Sequence, residues 1–187
     1  MKKFFLAIFG CSIFMACTDK PSNSAQNTQD SAVPANQSKT PSGPVEIGDS
    51  KYTEIGKNEL KNLSSGNIDA FGDGLSDKAL YAWSSGDNLV GKASIIAYWK
   101  EQYNKLIDTM MFVKPVWIPL RVNESQQGQD IPGNWLMCWS LIKVKYKNGK
   151  STDVWANALF HFDSTDKIDI ISQYYDKTPV NKALGIK

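Results

Sequence analysis

Apolar positions recur with a helical period in two segments of the chain. Residues 52–63 keep apolar side chains three or four positions apart, and residues 91–107 repeat that spacing over a longer stretch. Such spacing places the apolar residues on one face of an α-helix, so each segment is predicted to form a helix. Between them, residues 68–75 are predicted to form a short helix and residues 79–84 a strand.

After Met110 the pattern changes to runs that are typical of β-strands. Residues 112–123, 135–147, 150–162 and 167–175 are rich in aromatic and β-branched side chains. Helices followed by a hairpin-rich antiparallel sheet predict an α+β domain, with the helices on one side of the sheet.

One turn decides the predicted pairing of the two central runs. Asn148-Gly149 favours a two-residue hairpin turn, because both residues tolerate positive φ angles. The resulting register predicts that Trp139 lies opposite Ala158. One face of the predicted hairpin carries Trp135, Met137, Trp139 and Leu141 with Val154, Ala156, Ala158, Phe160 and Phe162. The other face carries Cys138, Ser140, Ile142 and Val144 with Asp153, Trp155, Asn157, Leu159 and His161.

The chain begins with a pattern typical of an export signal. Two lysines precede an apolar run, 4–16, which is too short to span a membrane as a helix. Residues 18–46 lack apolar periodicity and are rich in proline and small polar residues, which predicts disorder. The predicted organisation is a signal peptide at 1–16, Cys17 and a disordered tether at 17–46, and one domain at 47–187.

The end of the signal contains a lipidation motif. Phe14-Met15-Ala16-Cys17 resembles the lipobox of bacterial lipoproteins, in which a small residue precedes the cysteine. The resemblance implies that Cys17 is acylated and binds the protein to a membrane of the cell envelope. Thr18 is not the aspartate of the family's inner-membrane retention rule, so the outer membrane is the expected location. An ordinary cleaved signal and a lipobox at Cys11 are the alternatives.

Charge and residue counts exclude several classes of function. Removal of residues 1–16 would take two of the 21 basic residues and none of the 19 acidic ones, which leaves a formally neutral chain. Without a basic excess, nucleic acid is not an expected partner. His161 is the only histidine, so a multi-histidine metal site is not expected. Cys138 is the only cysteine after Cys17, which leaves no partner for an internal disulfide. No cofactor is predicted.

Several short motifs of the domain, taken in order, are similar to one protein superfamily. They are Gly66-Asn67-Ile68-Asp69-Ala70-Phe71, Gly91-Lys92-Ala93-Ser94-Ile95, Phe160-His161-Phe162-Asp163, Asp166-Lys167-Ile168 and Tyr174-Tyr175-Asp176. They resemble the SnoaL-like and ketosteroid-isomerase-like domains of the nuclear transport factor two superfamily, over about residues 50–177. The resemblance implies a cone in which a curved antiparallel sheet wraps around N-terminal helices and leaves a pocket. Asp166 stands where the family has a glycine.

The resemblance also implies which residues line that pocket. It places the hairpin face of Trp135 and Ala158 inside the cone, where small alanines opposite large rings would leave room for a ligand. The predicted ligand-binding residues are Trp83, Trp99, Tyr103, Trp135, Met137, Trp139, Ala158, Phe160, Ile171 and Tyr175. The expected partner is a small apolar or aromatic molecule.

The catalytic positions of the isomerase branch are not filled by suitable residues. Its base, its oxyanion acid and its tyrosine donor would fall near 82–84, at Ala158 and near Glu59. Steroid-type isomerisation is therefore not expected, and no catalytic residue is assigned. Glu59 is a candidate for a different base, because burial against an apolar pocket would raise its pKa. An enzyme of isomerase, cyclase or dehydratase type using Glu59, Asp73 or Asp77 stays open as an alternative.

The outer face of the predicted sheet suggests a third hypothesis for the function of the protein. It carries the apolar residues Ile142, Val144, Trp155, Leu159, Ile170 and Tyr174. Single domains rarely leave such a patch bare. Relatives of the resembled family often dimerise through this surface, so a homodimer or a protein-interaction module acting through the convex face is a further alternative.

Overall fold

The computed structural model describes residues 43–125 and 131–186. Its elements are β1 (Val45–Ile47), α1 (Lys51–Ser64), α2 (Ile68–Asp73), β2 (Leu75–Trp83), β3 (Asn88–Val90), α3 (Lys92–Lys105), β4 (Ile107–Val122), β5 (Gly133–Tyr146), β6 (Ser151–Phe162), β7 (Ile168–Tyr175) and α4 (Thr178–Leu184). The predicted signal peptide, Cys17 and the tether as far as residue 42 lie outside the described residues. Strand β1 includes the last two residues of the predicted tether.

The strands form one open sheet in the order β1-β4-β5-β6-β7-β2-β3. Neighbouring strands are antiparallel except β2 and β7, which run parallel. A parallel pair needs a long connection, and the chain between these two strands supplies it. The predicted α+β fold is confirmed, with a mixed sheet in place of a wholly antiparallel one.

Strand β4 bends the sheet around the helices. Its pairing with β5 shifts register between Val113 and Val116, and Lys114 between them has a φ angle of 53°. An extra residue on one strand of a pair bends that strand and increases its twist. The concave face encloses a core whose most buried large side chains are Phe71, Leu75, Ile95, Leu136, Phe162, Ile168 and Ile171.

Helix α1 lies very close to the sheet, and Gly56 explains how. A Cβ atom at this position would overlap the side chain of Leu136 on β5 and would lie 3.0 Å from the Trp117 ring on β4. Glycine in a helix interior costs roughly 1 kcal/mol relative to alanine, so its presence here indicates a packing requirement. The same helix buries Tyr52, Leu60 and Leu63.

Both long predicted helices are confirmed within one or two residues of their predicted ends. Strands β1 and β3 and helix α4 were not predicted. The two strands have 3 residues each and the helix has 7, so none is long enough to show a hydrophobic period. Gly91, with a φ angle of 88°, precedes the first residue of α3.

The β5–β6 hairpin has a longer turn than its sequence predicts. Tyr146 N donates to Lys150 O at 2.8 Å, which leaves residues 147–149 as a three-residue loop. Of these only Gly149 has a positive φ angle, 82°, whereas a two-residue turn of this kind requires positive angles at both Asn148 and Gly149. The predicted two-residue turn is therefore wrong.

This additional loop residue shifts the pairing of β5 with β6 by one position, so that the two faces of β5 are exchanged relative to the prediction. Leu136 lies opposite Phe160, Cys138 opposite Ala158, and Ser140 opposite Ala156. A one-residue slip moves every side chain of a strand to the other face. The inner face consequently carries Leu136, Cys138 and Ser140 of β5, together with the predicted inner residues of β6.

Trp135, Met137 and Trp139 therefore lie on the outer face, and their predicted position inside the cone is wrong. Trp135 stacks near the His161 ring at 4.8 Å between centroids and donates its indole N–H to Ile131 O. Trp139 is 42% exposed. Met137 pairs with Leu159, which also points outward.

Asp166 occupies a backbone position that normally favours glycine. Its φ angle is 61°, in the left-handed region that aspartate tolerates better than most residues. Its carboxylate accepts hydrogen bonds from Lys51 Nζ at 2.9 Å and Tyr52 Oη at 2.8 Å. The side chain thus ties the β6–β7 turn to the start of α1, which a glycine would not do.

All described strands and the whole described core lie within Lys39–Lys187, so we expect this segment to fold on its own. In the part of the chain that the structure describes, no helix is both long and apolar enough to cross a membrane.

Candidate functional site

A cavity of about 130 Å³ lies inside the cone, between the helices and the concave face of the sheet. We call it the cone cavity. Its helical wall includes Leu60, Leu63, Phe71, Tyr98, Trp99, Gln102, Val180 and Leu184. Its strand wall includes Tyr81, Trp83, Met110, Phe112, Cys138, Ser140, Ala156, Ala158, Phe160, Ile171, Gln173 and Tyr175.

Four aromatic rings of the wall pack against one another. Tyr81 lies 4.5 Å from Trp83 and 6.1 Å from Trp99 between ring centroids. Tyr98 lies 5.3 Å from both tryptophans, edge-on to Trp99 at 80°. The alternation of β2 and the helical period of α3 place these rings together, which gives the cavity one aromatic side.

A buried amide organises the polar groups beside these rings. Gln173 Oε1 accepts a hydrogen bond from Tyr81 Oη at 2.8 Å and another from Trp83 Nε1 at 3.2 Å. Gln173 is only 9% exposed and lies opposite Ala158 on the neighbouring strand. The two donors orient the amide and leave its NH₂ group available as a donor.

The indole N–H of Trp99 differs from that of Trp83. Trp99 is 8% exposed, and its Nε1 atom has no hydrogen-bond partner among the described residues. Buried polar groups in folded proteins almost always have a partner. The Trp99 indole N–H is therefore an unpaired donor that is enclosed by the fold.

None of the residues that line the cone cavity carries a formal charge at neutral pH. The cavity's ionisable groups are tyrosines and a cysteine, and burial raises the pKa of Tyr81, Tyr98, Tyr175 and Cys138. Desolvation raises the pKa of Tyr81 well above its usual value of 10.0 and that of Tyr98 to about 12. Desolvation also raises the pKa of Cys138 to about 11, against a smaller lowering by a hydrogen bond with Ser140.

Helix α4 closes one side of the cavity with Val180 and Leu184. Asn148 of the β5–β6 turn donates from Nδ2 to Ala183 O at 3.0 Å, which connects the hairpin to this helix. Before the helix, Lys177 Nζ lies 2.9 Å from Asp87 Oδ2 in the β2–β3 turn. The β5–β6 turn and the β2–β3 turn thus hold helix α4 in place over the cavity.

The structure places six of the ten predicted binding residues in the cavity wall, namely Trp83, Trp99, Ala158, Phe160, Ile171 and Tyr175. Trp135, Met137 and Trp139 lie on the outer face, as described above. Tyr103 is not part of the wall, because its hydroxyl group donates to the backbone carbonyls of Leu63 and Ser64 at the end of α1. A role in binding stays a prediction for the six residues of the wall.

Sequence reasoning missed several wall residues that simple alternation could have found. Tyr81 is two positions from Trp83, and Gln173 lies two positions from both Ile171 and Tyr175. Residues two apart on a strand share a face, so each belongs with a predicted wall residue. Cys138 was missed for another reason, the register of the hairpin.

Glu59 is buried but lies outside the cavity wall. It is 5% exposed, its Oε2 atom has no hydrogen-bond partner among the described residues, and a Cβ on Gly74 would overlap its carboxylate. Desolvation raises its pKa to about 7, with a lowering by Lys167 and a raising by Asp73. The predicted direction of this pKa shift is confirmed. Its carboxylate is not among the groups that face the cone cavity.

Asp73 and Asp77 lie in a different place from the cone cavity. They line a shallow, charged depression together with Asp163, Lys92 and Lys167. Asp73 has an 85% exposed side chain. The aspartates therefore do not reach a molecule inside the cone.

His161 lies on the outer face of the sheet, as predicted. Its Nδ1 atom forms a hydrogen bond with Asp169 Oδ1, and Trp135 covers its ring. Cys138 is on the inner face, so the two side chains do not form a pair. Among residues 43–125 and 131–186, no three histidine, cysteine or acidic side chains come together as metal ligands.

The outer face carries exposed aromatic side chains. Trp139, Trp155 and Tyr174 are 42%, 58% and 48% exposed. Asn157 pairs with Trp139 on one side and with Tyr174 on the other, so these residues form one row across three strands. Val116, 54% exposed, extends the row onto β4. Ile142 and Val144, predicted for this face, line the cone cavity.

The sequence matches no protein-family model and no curated protein. Several solved structures have a fold that is similar to the fold of this chain. A candidate isomerase from Bacillus subtilis is 12% identical, with 73% of this chain and 94% of that chain covered and a TM-score of 0.57. A candidate polyketide cyclase from Pseudomonas putida KT2440 is 18% identical, with 71% and 96% covered and a TM-score of 0.57.

A third solved structure was determined with a small molecule. This protein from Catenulispora acidiphila DSM 44928, described as having a ketosteroid-isomerase-like fold and in complex with trimethylamine, is 14% identical. The match covers 72% of this chain and 94% of that chain with a TM-score of 0.53. At such identities the likeness concerns the fold alone. The described domain has the cone-shaped α+β fold of the ketosteroid-isomerase-like and nuclear-transport-factor-two-like proteins.

Proposed function

We propose that this chain is a lipoprotein of the cell envelope whose cone cavity binds a small apolar or aromatic molecule, with no catalytic step assigned. The cavity itself is the observation that carries the proposal. It combines an aromatic side, small alanines on β6 and a wall without a charged side chain. Concave, mostly apolar sites with a few polar groups are where small ligands bind.

The energetics favour a modest affinity. Burying about 200 Å² of apolar ligand surface would contribute roughly 5 kcal/mol, and association itself costs several kcal/mol. Hydrogen bonds to the polar groups of the wall are therefore needed for micromolar binding. Gln173, which lines the wall, is in position to supply donors from its amide NH₂ group.

Binding is favoured over catalysis because the wall has no acid or base that changes protonation near neutral pH. A general base must come within hydrogen-bond reach of the proton that it removes. Tyr81, Tyr98 and Cys138 stay protonated because burial raises their pKa values, and Glu59 does not face the cavity.

An enzyme remains the second candidate, for one specific reason. Glu59 combines burial with a pKa raised to about 7, which is suitable for proton transfer. Solved neighbours of the same fold carry the names isomerase and polyketide cyclase. Under this alternative the substrate would have to reach Glu59, which does not line the cone cavity, so Glu59→Gln would abolish turnover and leave binding in the cone cavity intact.

A third proposal is self-association through the outer face. The row of Trp139, Asn157 and Tyr174, with Trp155 beside it, supports it by its exposure. This proposal is compatible with ligand binding, because the row and the cavity lie on opposite faces of the sheet.

The first experiment is native mass spectrometry of Lys39–Lys187, which is fused to a cleavable export signal and purified from a bacterial envelope without detergent. A small molecule that leaves the protein on denaturation would support the cavity as a binding site and identify the ligand class. Absence of any bound mass, together with no binding in a screen of ring-sized compounds, would contradict the proposal.

Anchoring is tested separately with the full chain. Cells that express it are fed labelled palmitate, and the label is measured on the wild type, on Cys17→Ser and on Cys11→Ser. We expect the label to be lost only in Cys17→Ser. An unlabelled wild type, or a label that survives Cys17→Ser, would contradict acylation at Cys17.

A further inference from the structure

The side-chain amide of Gln173 is held in one orientation in the wall of the cone cavity. Its Oε1 atom accepts hydrogen bonds from Tyr81 Oη at 2.8 Å and from Trp83 Nε1 at 3.2 Å. An indole N–H can only donate, so the amide atom that it contacts must be the oxygen and not the nitrogen. The amide nitrogen, Nε2, is therefore the group that remains for another partner.

The Nε2 atom is open to the interior of the cone. Both hydrogen bonds of the Gln173 side chain use Oε1, so Nε2 donates to no described residue. Nε2 is nevertheless not one of the fully enclosed polar atoms without a partner, which include the indole nitrogen of Trp99. An unpaired atom that is not enclosed retains accessible surface, and Gln173 lies on the face of β7 that lines the cavity. A ligand in the cavity can therefore reach Nε2.

The two strands beside Gln173 present side chains of very different size. Trp83 is its neighbour on β2, and Ala158 is its neighbour on β6. Because Oε1 is bonded to side chains of β2, Nε2 points away from that strand. The methyl group of Ala158 and the small side chain of Cys138, the next residue of this row on β5, leave space on the other side. The free donor thus faces the part of the cavity that small residues leave open.

The charge of the wall limits the ligand. None of the lining residues carries a formal charge at neutral pH. An ionised ligand would lose its hydration without an opposite charge to compensate it, which is strongly unfavourable. An amide N–H binds a neutral acceptor such as a carbonyl oxygen, so the wall favours an uncharged molecule that carries one.

The volume limits the size of the buried part. A cavity of about 130 Å³ is close to the roughly 150 Å³ of an apolar protein cavity that holds benzene. One six-membered ring fits this space, and a fused multi-ring compound does not fit inside it.

We propose that Gln173 Nε2 donates a hydrogen bond to the ligand of the cone cavity, and that this ligand is an uncharged molecule with one ring and an acceptor such as a carbonyl oxygen. This inference rests on the proposed ligand-binding function and specifies its ligand class. Tyr81 and Trp83 then act as positioning residues, because they fix the amide that selects acceptor-bearing molecules over hydrocarbons of the same shape.

The test compares two probes of nearly identical shape, cyclohexanone and methylenecyclohexane, which differ in the acceptor oxygen. The selectivity is the affinity of Lys39–Lys187 for the ketone divided by its affinity for the hydrocarbon. It is measured for the wild type and for Gln173→Met, in which a side chain of similar length lacks the donor. We expect the selectivity to be about fivefold higher in the wild type, the usual net effect of one hydrogen bond. The different hydration of the two probes cancels in this comparison.

A second readout observes the donor directly. In ¹⁵N-labelled wild-type protein, an Nε2 proton of Gln173 should shift downfield with the ketone and not with the hydrocarbon. This measurement still decides the matter if Gln173→Met does not fold, since that variant leaves the donors of Tyr81 and Trp83 without their acceptor.

The other glutamine of the wall, Gln102 on α3, provides the matched comparison. Gln102→Met makes the same chemical change and should alter the affinity for both probes equally, which leaves the selectivity at the wild-type value. A loss of selectivity in Gln102→Met and not in Gln173→Met would assign the donor to Gln102 and overturn the inference.

Two further results would overturn it. Equal selectivity in the wild type and in Gln173→Met, without a shift of the Gln173 amide, would refute the hydrogen bond while leaving ligand binding in place. Binding of neither probe to the wild type, with an apo mass in native mass spectrometry, would refute the proposed function as well.

Discussion

Glu59 shows how one buried residue can make the stability of the fold depend on pH. Its carboxyl group is buried against Gly74 with one oxygen unpaired. Burial raises its pKa from 4.5 to about 7 in the folded protein, whereas the unfolded chain keeps the ordinary value. Between these two values the unfolded chain is ionised while the folded protein still holds the proton.

We expect the free energy of unfolding to fall as the pH rises from about 4.5 to about 7, by up to about 3 kcal/mol from this group. The sign follows because folding binds a proton in that window. Glu59→Gln should remove this part of the pH dependence. Glu54→Gln, at an exposed position of the same helix, is the control and should keep it. Urea unfolding at pH 4.5, 6 and 8 measures the difference, and parallel profiles for the wild type and Glu59→Gln would refute the assignment.

A substitution at Ala158 tests whether the ligand binds in the cone cavity. It lines the cavity opposite Cys138, so a phenylalanine there would occupy the space that a ligand needs. We expect Ala158→Phe to abolish the binding of ring-sized probes. Overpacking typically costs 1–3 kcal/mol, so unfolding should be followed in parallel. Ala158→Leu is a milder second variant and should weaken binding.

Leu159→Phe is the matched control for that substitution. The same ring is added one residue along the strand, on the outer face, and binding should be unchanged. Wild-type affinity in a folded Ala158→Phe variant would show that the ligand binds elsewhere.

Among the elements, the β5–β6 hairpin has the largest effect on the site, because its turn decides which residues face the cavity. The loop requires a positive φ angle of 82° at Gly149, and a Cβ there would meet no atom within 4 Å. A substitution at Gly149 therefore destabilises the fold only through the strain of a positive φ angle, and not through a steric clash. Left-handed conformations cost a residue with a Cβ roughly 1–2 kcal/mol.

We expect Gly149→Ala to lower the free energy of unfolding by about 1 kcal/mol. Gly149→Asn adds the same Cβ but tolerates the left-handed region better, so its loss should be smaller. Chemical denaturation of the two variants gives the comparison. Identical losses, or none, would show that the turn does not depend on this conformation.

The same hairpin explains how far the sequence alone could lead. The two long helices follow from hydrophobic periods, the long strands follow from their runs of aromatic and β-branched residues, and the resemblance to cone-shaped domains leads to the observed fold. The register did not follow, because β5 is apolar on both faces: Trp135, Leu136, Met137, Cys138 and Trp139 are consecutive. Alternation cannot choose between faces in such a strand, and the choice then rests on one residue in the turn.

Whether a residue of the cavity wall was predicted correctly depended on the helix or strand that carries it. Trp99 is on a helix with a clear period, and Ile171 is on a strand whose register does not depend on the turn at Gly149, so both were placed correctly. Tyr103 follows the α3 period but its hydroxyl group is used to hold the end of α1. A hydrogen bond between distant segments of the chain has no signature in local sequence.

For the whole molecule, we propose separate uses for the two faces of the sheet. The concave face encloses the cavity, and the convex face presents Trp139, Trp155 and Tyr174, each more than 40% exposed. A stable dimer typically buries about 800 Å² on each partner. Three large aromatic residues in neighbouring positions supply the apolar centre that such an interface needs.

We expect Lys39–Lys187 to form a dimer at micromolar concentrations in sedimentation equilibrium, and the double variant Trp155→Glu/Tyr174→Glu to be monomeric. Because both side chains are largely exposed in the single chain, the substitutions should leave the unfolding of the monomer nearly unchanged. A matched variant, Ile186→Glu, places the same charge at another exposed apolar position, 56% exposed just after α4, away from the outer face, and should stay dimeric. Ring-sized probes should bind the monomeric variant as well as the wild type, because the cavity opens away from this face of the sheet. A monomeric wild type at tens of micromolar would refute the interface and leave the cavity proposal untouched.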